Sequence, residues 1–181
     1  MKYRSRIKLL GLILISIVLQ GCPYDSKVPA SEEPIEIPKN ILGKWVESDE
    51  LGSANEKFFL VSRPSRNSML INKISYTASD ENYDTTSYSG QLCKIKGQLF
   101  LSLKNQTPLG EQTSPFEEEE KKYFIYRVRP YYDYFKLDEL SNHIQEQFES
   151  SAELRKYIEV HIDNEIFYNA RSTTYIKMNQ K

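Results

Sequence analysis

A strict alternation of side chains in the middle of the chain most constrains its fold. From Gln98 onward, one face carries leucines and the other mixed residues: Leu99, Leu101 and Leu103 against Phe100, Ser102 and Lys104. Residues 122–129 repeat the pattern, with Phe124, Tyr126 and Val128 on one face. Successive side chains of a β-strand point to opposite faces, so this period of two predicts strands with two distinct faces.

Six further segments have strand character, and composition agrees with them. The chain has 13 Tyr and 8 Phe but only seven Gly, which suits antiparallel strands with one buried face. Lys96 and Gly97 separate two of the segments and predict a tight hairpin, because glycine readily adopts positive φ. We predict eight strands, over residues 42–46, 57–62, 69–77, 87–95, 98–104, 122–129, 131–137 and 167–178. We assign the polar residues 78–86 and 105–121 to loops.

The period changes before the last predicted strand. Ser150 to Glu153 form a capping-box sequence, and four apolar residues then share one helical face: Leu154, Tyr157, Ile158 and Ile162. This predicts a helix over residues 151–162. A second, short helix over residues 137–148 is suggested by the spacing of Leu140, Ile144 and Phe148, although Ser141 and Asn142 are turn-like.

The first strand contains Gly43, Lys44 and Trp45, which resemble the Gly-x-Trp element of lipocalins. The resemblance implies an eight-stranded antiparallel barrel in which Trp45 closes one end and Gly43 lets the chain bend beneath it. Arg171 is the candidate for the arginine that packs on the tryptophan in that family. We therefore expect a mainly β fold over residues 41–181: a lipocalin-like barrel with a helix before the last strand.

The chain begins with a basic stretch followed by an apolar run over residues 9–19. This layout is typical of a secretory signal, and the run is shorter than the ~20 apolar residues that a spanning helix needs. We predict a signal peptide over residues 1–21, with an uncleaved signal anchor as the alternative.

Leu19, Gln20, Gly21 and Cys22 resemble the lipobox of bacterial lipoproteins. The resemblance implies cleavage between Gly21 and Cys22, and a palmitate-type lipid anchor on the Cys22 sulfur. The residue after Cys22 is not Asp, which favours the outer membrane within the cell envelope. Four short runs resemble a group of small bacterial lipoproteins: residues 22–24, 26–29, 42–45 and 148–155. That group brings no activity, catalytic residue or ligand.

Residues 22–40 hold four of the eight prolines, at positions 23, 29, 34 and 38. Such a segment predicts an extended tether that could hold the domain up to about 50 Å from the membrane at ~3.1 Å per residue. Ile35, Ile37 and Ile41 are the exceptions, and we expect them against the edge of the domain.

Charge and cysteine content narrow the partners. The chain has 24 Lys and Arg against 25 Asp and Glu, and residues 1–21 hold four basic and no acidic residues, so the mature chain carries −5. This argues against nucleic acid, which requires clustered positive charge. After lipidation only Cys93 remains, in an apolar strand pattern, which predicts a buried small side chain.

No constellation for catalysis stands out in the sequence. The two histidines, His143 and His161, are eighteen residues apart, and there is no HExxH, CxxC, GxSxG or glycine-rich phosphate loop. The sequence therefore predicts a non-enzymatic protein without a metal or another cofactor. An enzyme with an unrecognised carboxylate site is one alternative.

The best site candidate is an aromatic and basic cluster near residue 130. Tyrosine combines a wide apolar face with a polar tip, and arginine can clamp a carboxylate. The candidate ligand- or partner-binding residues are Tyr123, Tyr126, Arg127, Arg129, Tyr132 and Tyr134, beside Tyr131. Two uses remain open. The favoured one is a protein partner in the envelope, which predicts a filled barrel, and the other is a small apolar ligand, which predicts an empty interior.

Overall fold

The computed structural model describes residues 24–53, 57–77, 82–106, 122–141, 143–170 and 172–178. The strands are β1 (Asp25–Ser26), β2 (Gly43–Glu47), β3 (Lys57–Ser65), β4 (Ser68–Thr77), β5 (Asn82–Ile95), β6 (Gln98–Asn105), β7 (Tyr123–Pro130), β8 (Tyr134–Glu139) and β9 (Thr173–Lys177). The helix α1 spans Ser151–His161, and 3-10 turns cover Lys39–Ile41, Ser48–Glu50 and Glu165–Phe167. Within these ranges no helix has the length and apolarity to cross a bilayer.

Strands β2 to β9 close into an eight-stranded antiparallel barrel, as predicted. Neighbours along the chain pair from β2 to β8, and β9 lies between β8 and β2. The closing pairs include Tyr134 with Ile176 and Trp45 with Lys177. Closure leaves no open edge among these strands, so the alternating pattern separates interior from exterior.

The two ends of the barrel differ in their connections. At one end, called the turn end, residues 66–67, 96–97 and 131–133 join strands tightly. Lys96 and Gly97 there have φ of 46° and 80°, which is the conformation that the hairpin required. At the other, called the loop end, residues 48–56, 78–81, 106–122 and 140–172 make longer connections.

Two apolar clusters lie on opposite faces of the barrel wall. The inner cluster fills part of the interior and contains Ile37, Trp45, Val61, Met69, Ile71, Leu92, Leu101 and Val128. The outer cluster includes Phe100 and Ile125 from β6 and β7 and residues of α1 and its flanks: Leu140, Ile144, Leu154, Ile158, Ile162, Phe167 and Tyr168. Strands β5 to β7 are therefore covered on both faces.

Helix α1 has the N-terminal cap and the buried apolar face that the sequence predicted. The Ser150 hydroxyl accepts the Glu153 backbone N–H at 3.3 Å, which satisfies one of the amides left open at a helix start. Leu154 and Ile158 are fully buried against the outer face of the strands. The predicted helix over residues 137–148 is wrong: Leu137 belongs to β8, and Leu140 forms a bridge with Tyr168. Pairing with neighbouring strands overrides the helical spacing there.

The region predicted as a free tether is docked on the barrel wherever it is described. Residues 24–38, called the strap, run along the outer face to the turn end. Ala30 and Ile37 are fully buried, the Ala30 N–H donates to the Ser102 hydroxyl at 3.0 Å, and the Ile37 N–H donates to the Arg66 carbonyl at 3.0 Å. Prolines keep the strap extended without backbone–backbone hydrogen bonds of its own, so several of its amides are available to the barrel.

The loop predicted over residues 78–86 is also partly a strand. Residues 82–86 belong to β5, and each pairs with β4, from Asn82 opposite Thr77 to Thr86 opposite Lys73. Polar side chains of this kind are typical of loops. Here the backbone is hydrogen-bonded to β4, and most of the side chains project into solvent. The predicted loop over residues 105–121 lies mostly outside the described ranges.

Candidate functional site

The barrel interior holds a cavity of about 390 Å³. Its walls are the inward-facing side chains of the strands, and most are apolar: Trp45, Phe59, Val61, Met69, Ile71, Leu92, Leu101, Leu103, Phe124, Val128, Phe135 and Leu137. Cavities of this size bind small molecules in other proteins. This space is present although many of the inward side chains are long.

Gly90 sets the packing on one side of the cavity. A Cβ at this position would lie 2.7 Å from Met69 Cγ and 2.9 Å from Leu103 Cδ2. Glycine therefore lets Met69, which is almost fully buried, lie over the β5 backbone. A side chain here would push these two residues into the cavity.

Trp45 lies towards the turn end, as the Gly-x-Trp element implied. Its indole N–H donates to the Ile41 carbonyl at 2.7 Å, and its ring lies 4.6 Å from that of Phe135. Gly43 has φ of 120°, a conformation that favours glycine. The cation near the indole is Lys177, whose ammonium lies 5.4 Å from the ring centre. The side chain of Arg171, the predicted partner, lies outside the described residues.

Polar groups gather in the half of the cavity nearer the loop end. The Tyr175 hydroxyl donates to the Glu47 carboxylate at 3.4 Å. On the neighbouring strands β7 and β8, Tyr126 stands directly opposite Glu139. The pKa of each phenol is well above its ordinary value. Burial is the larger cause, and the negative charge of the neighbouring carboxylate is the second. Both phenols are therefore neutral donors at physiological pH.

One lysine lines the polar half and another lies beside its carboxylate Glu47. The Lys57 ammonium lies 3.6 Å from the Glu47 carboxylate and 3.9 Å from that of Glu50. Lys73 lines the cavity from β4, and no carboxylate of the described residues lies within ion-pair distance of it. The cavity thus has an apolar body and a polar region with charges of both signs. It suits an amphipathic molecule.

The predicted binding residues near position 130 lie on both the inner and the outer face of the barrel wall. Tyr126, Tyr132 and Tyr134 line the cavity, with Tyr131, while Tyr123 packs against the outer cluster. Tyr131 stacks on Tyr134 with ring centres 4.3 Å apart, and Tyr132 is fully exposed at the turn end. The cavity therefore reaches from the polar half to the tyrosines of the β7–β8 turn.

Arg127 and Arg129 point outward and form a cluster around Asp138. Arg127 and Arg129 donate to the Asp138 carboxylate at 2.8 Å and 2.6 Å, and Ser172 donates to it as well. The Arg127 guanidinium also lies 3.7 Å from the ring centre of Tyr168. Burial raises the Asp138 pKa, but these hydrogen bonds outweigh it and leave the pKa below its ordinary value. This cluster links β7, β8 and the approach to β9.

Of the two cysteines, the structure describes only Cys93. Cys22 and Gly21, the proposed lipidation and cleavage residues, lie outside the described ranges. Cys93 is buried in the outer cluster, as predicted, and burial raises the pKa of its thiol to about 11. A thiol protonated at neutral pH is a poor nucleophile. Among the described residues, no three His, Cys, Asp or Glu side chains are arranged to hold a metal ion.

Sequence analysis did not single out Glu47, Lys73, Glu139 or Tyr175. A signal was present, since Glu47 stands two residues after Trp45 and a two-residue step keeps the same face. Two carboxylates and a lysine at inward positions would have indicated a polar zone in the barrel. Their meeting across β2, β8 and β9 depends on barrel closure, which no local pattern shows.

Comparison of this chain with protein-family models, with curated proteins and with solved structures finds no match. The closed eight-stranded barrel agrees with the fold implied by the lipocalin-like resemblance. The resemblance to a group of small bacterial lipoproteins has no support from these comparisons and stays a hypothesis.

Proposed function

We propose that this protein is a non-catalytic binding module that takes a small, mainly apolar molecule into its barrel. The cavity of about 390 Å³, lined by aromatic and aliphatic side chains, supports this function. The sequence alone favoured a protein-interaction role with a filled barrel. The open interior supports the alternative, a lipocalin-like carrier.

The ligand proposed here is amphipathic. Its apolar part lies against Trp45, Leu101 and Phe135, and its polar group meets the half that contains Glu47 and Tyr175. Hydrogen-bonded phenols and carboxylates fix orientation, while the apolar wall supplies affinity. A ligand without any polar group would form no hydrogen bond with Glu47 or Tyr175, and we expect it to bind less tightly.

A protein partner remains a second candidate because of the turn end. Tyr131 is 44% exposed and Tyr132 is fully exposed in the β7–β8 turn. Exposed tyrosines are common in protein interfaces. This surface and the cavity share Tyr132, so one partner could sense whether the cavity is occupied.

The proposed location is the bacterial cell envelope, where a lipid on Cys22 anchors the chain to a membrane. The signal-like residues 1–21 and the lipobox resemblance support it. Two or more acyl chains give stable membrane attachment. Metabolic palmitate labelling and membrane fractionation test it, with Cys22→Ser as the control that loses both the label and the membrane fraction.

Ligand binding is tested with 1-aminoanthracene as the probe. Trp45 is the chain's single tryptophan and lines the cavity, so its fluorescence reports directly on occupancy. The protein used is residues 22–181 with Cys22→Ser, which keeps every described contact. We expect quenching of Trp45 and increased probe emission with a Kd on the order of 10 µM. Absence of saturable binding would overturn the carrier function.

A matched pair of variants locates the probe. Leu103→Trp adds a large ring to the cavity wall and is expected to weaken probe binding at least tenfold. Leu60→Trp makes the same change on β3, where Leu60 is 38% exposed, and should leave binding unchanged. Probe emission is the readout for both, and circular dichroism confirms that both fold. Equal binding by the two variants would place the probe outside the barrel.

A further inference from the structure

We propose that the loop end of the barrel lies against the membrane surface and that the turn end points away from it. This inference rests on the lipid anchor at Cys22 proposed above. It adds the orientation of the domain, which the predicted 50 Å tether left undetermined. The partner is the lipid headgroup layer of the bilayer that holds the anchor.

The chain is fixed to the barrel from Tyr24 onward. The Tyr24 side chain is 3% exposed, its N–H donates to the Leu140 carbonyl at 3.1 Å, and its hydroxyl donates to the Glu146 carbonyl at 3.2 Å. Asp25 and Ser26 then pair with Phe124 and Tyr123. These are the first residues of β7, which begins at the loop end.

Covalent geometry then limits the distance between anchor and barrel. Only Pro23 stands between Cys22 and Tyr24, so the two are two residue steps apart, and two extended steps span at most about 7 Å. A lipidated Cys22 lies at the bilayer surface, so the start of β7 must lie close to the headgroups. The turn end of β7, at Pro130, is roughly 20 Å further along the barrel.

The rest of the strap is also held on the barrel, so no longer free segment is available to let the barrel move away from the membrane. The Ile35 N–H donates to the Leu92 carbonyl at 2.8 Å, and the Asn67 side chain donates to the Pro34 carbonyl at 2.7 Å. Ala30 and Ile37 are completely buried. Lengthening the tether would require these contacts to break together.

In this orientation, the polar half of the cavity and the tyrosines of the turn end lie at different distances from the bilayer. The polar half of the cavity, with Glu47 and Glu139, is nearer the bilayer. Tyr131 and Tyr132 at the turn end face the aqueous compartment. The mature chain carries a net negative charge and the anchor sets the orientation, so the arrangement should be insensitive to salt.

The test uses the full lipidated chain in phosphatidylcholine vesicles that contain a nitroxide-headgroup phosphatidylcholine. A bimane label is placed at Tyr83→Cys near the loop end or at Tyr132→Cys at the turn end, both exposed positions. Cys22 is consumed by the lipid, and the buried Cys93 does not react. We expect the nitroxide to quench the label at position 83 at least threefold more than the label at 132.

Two control variants separate the possible failures. Cys22→Ser should not float with vesicles, and if the parent chain also fails to float, the anchor itself is refuted and the orientation with it. Tyr24→Asp should release the start of the strap, so that the chain still floats while the difference between the two labels shrinks. If the parent floats and both labels are quenched equally, or the label at 132 more, the orientation is wrong while the anchor stands.

Discussion

The two faces of strands β5 to β7 bury apolar side chains in opposite ways. On the outer face, Phe100 and Ile125 are fully buried beneath the strap and α1, where they join Leu154 of α1 in one cluster. On the inner face, Leu101 and Val128 border a cavity of about 390 Å³. The outer face is close-packed and the inner face is partly open, although the same strands supply both.

This difference separates stability from binding in the molecule. Fully packed side chains make contacts in every direction, whereas a side chain beside a void lacks partners on one side. We therefore expect the outer cluster to carry more stability per residue, and the inner cluster to tolerate changes of volume at the expense of ligand affinity. The following variants test this division.

The largest effect is expected from truncation in the outer cluster. Ile125→Ala should lower the free energy of unfolding by about 3–4 kcal/mol, because it removes buried methyl groups and leaves a void in a close-packed site. Its matched variant on the inner face, Leu101→Ala, should cost about 2 kcal/mol, because Leu101 already borders open space. Urea denaturation measures both. Equal losses would show that the interior is packed as tightly as the exterior.

The charge cluster on the outer face should give the next largest effect. Asp138→Asn should cost about 2–3 kcal/mol at neutral pH, since Asp138 is almost fully buried while its arginine partners are partly screened. The folded-state pKa of Asp138 is lowered, so its contribution is present above the unfolded-state value near ~3.9 and is lost as pH falls through the folded-state pKa. Parent and variant should therefore converge in stability in acid. A difference independent of pH would exclude the carboxylate as its source.

Removing a single contact of the strap should have a moderate effect. Ser102→Ala takes away the acceptor of the buried Ala30 N–H and should cost about 1–2 kcal/mol. Ser62→Ala on exposed β3 is the control and should change stability by less than about 0.5 kcal/mol. Amide hydrogen exchange at Ala30 should also accelerate in Ser102→Ala. Unchanged exchange would mean that the strap does not depend on this bond.

The smallest effect on stability is expected in the polar half of the cavity. Glu47→Gln removes a carboxylate from beside Tyr175 and should lower the phenol pKa, which burial still holds above its ordinary value. The free energy of unfolding should change by less than about 1 kcal/mol, because the Lys57–Glu47 pair is partly exposed. Ultraviolet titration of tyrosinate follows the pKa. An unaltered titration would mean that Glu47 and Tyr175 are not coupled.

Local patterns predicted the elements with the strongest periodicity. The alternation around Leu99 and Leu101, the Lys96-Gly97 turn and the capping sequence at Ser150 each describe interactions within a few residues, and all three appear in the structure. Predictions failed where distant segments decided the outcome. Residues 82–86 are strand because β4 pairs with them, and Leu140 is in a bridge because Tyr168 lies opposite.

The candidate site divides in the same manner. Tyr126, Tyr132 and Tyr134 could be selected from the sequence as part of a cluster. The separation of Tyr126 from Tyr123, Arg127 and Arg129 requires knowing which face of β7 points inward. The pairing of Glu47 with Tyr175, 128 residues apart, depends on β9 closing the barrel against β2. Composition alone carries no information about such a contact.

The sequence by itself determined that these strands have two faces, that a capped helix precedes the last strand, and that the chain begins with a segment resembling an export signal. These properties follow from side-chain period, turn chemistry and local hydrogen bonding, which act between near neighbours. Only the tertiary structure decided that the interior keeps a cavity, that the proline-rich segment docks as a strap, and that acids and tyrosines meet at one end. These features depend on how completely distant surfaces fill space against one another, and that is a property of the closed barrel as a whole.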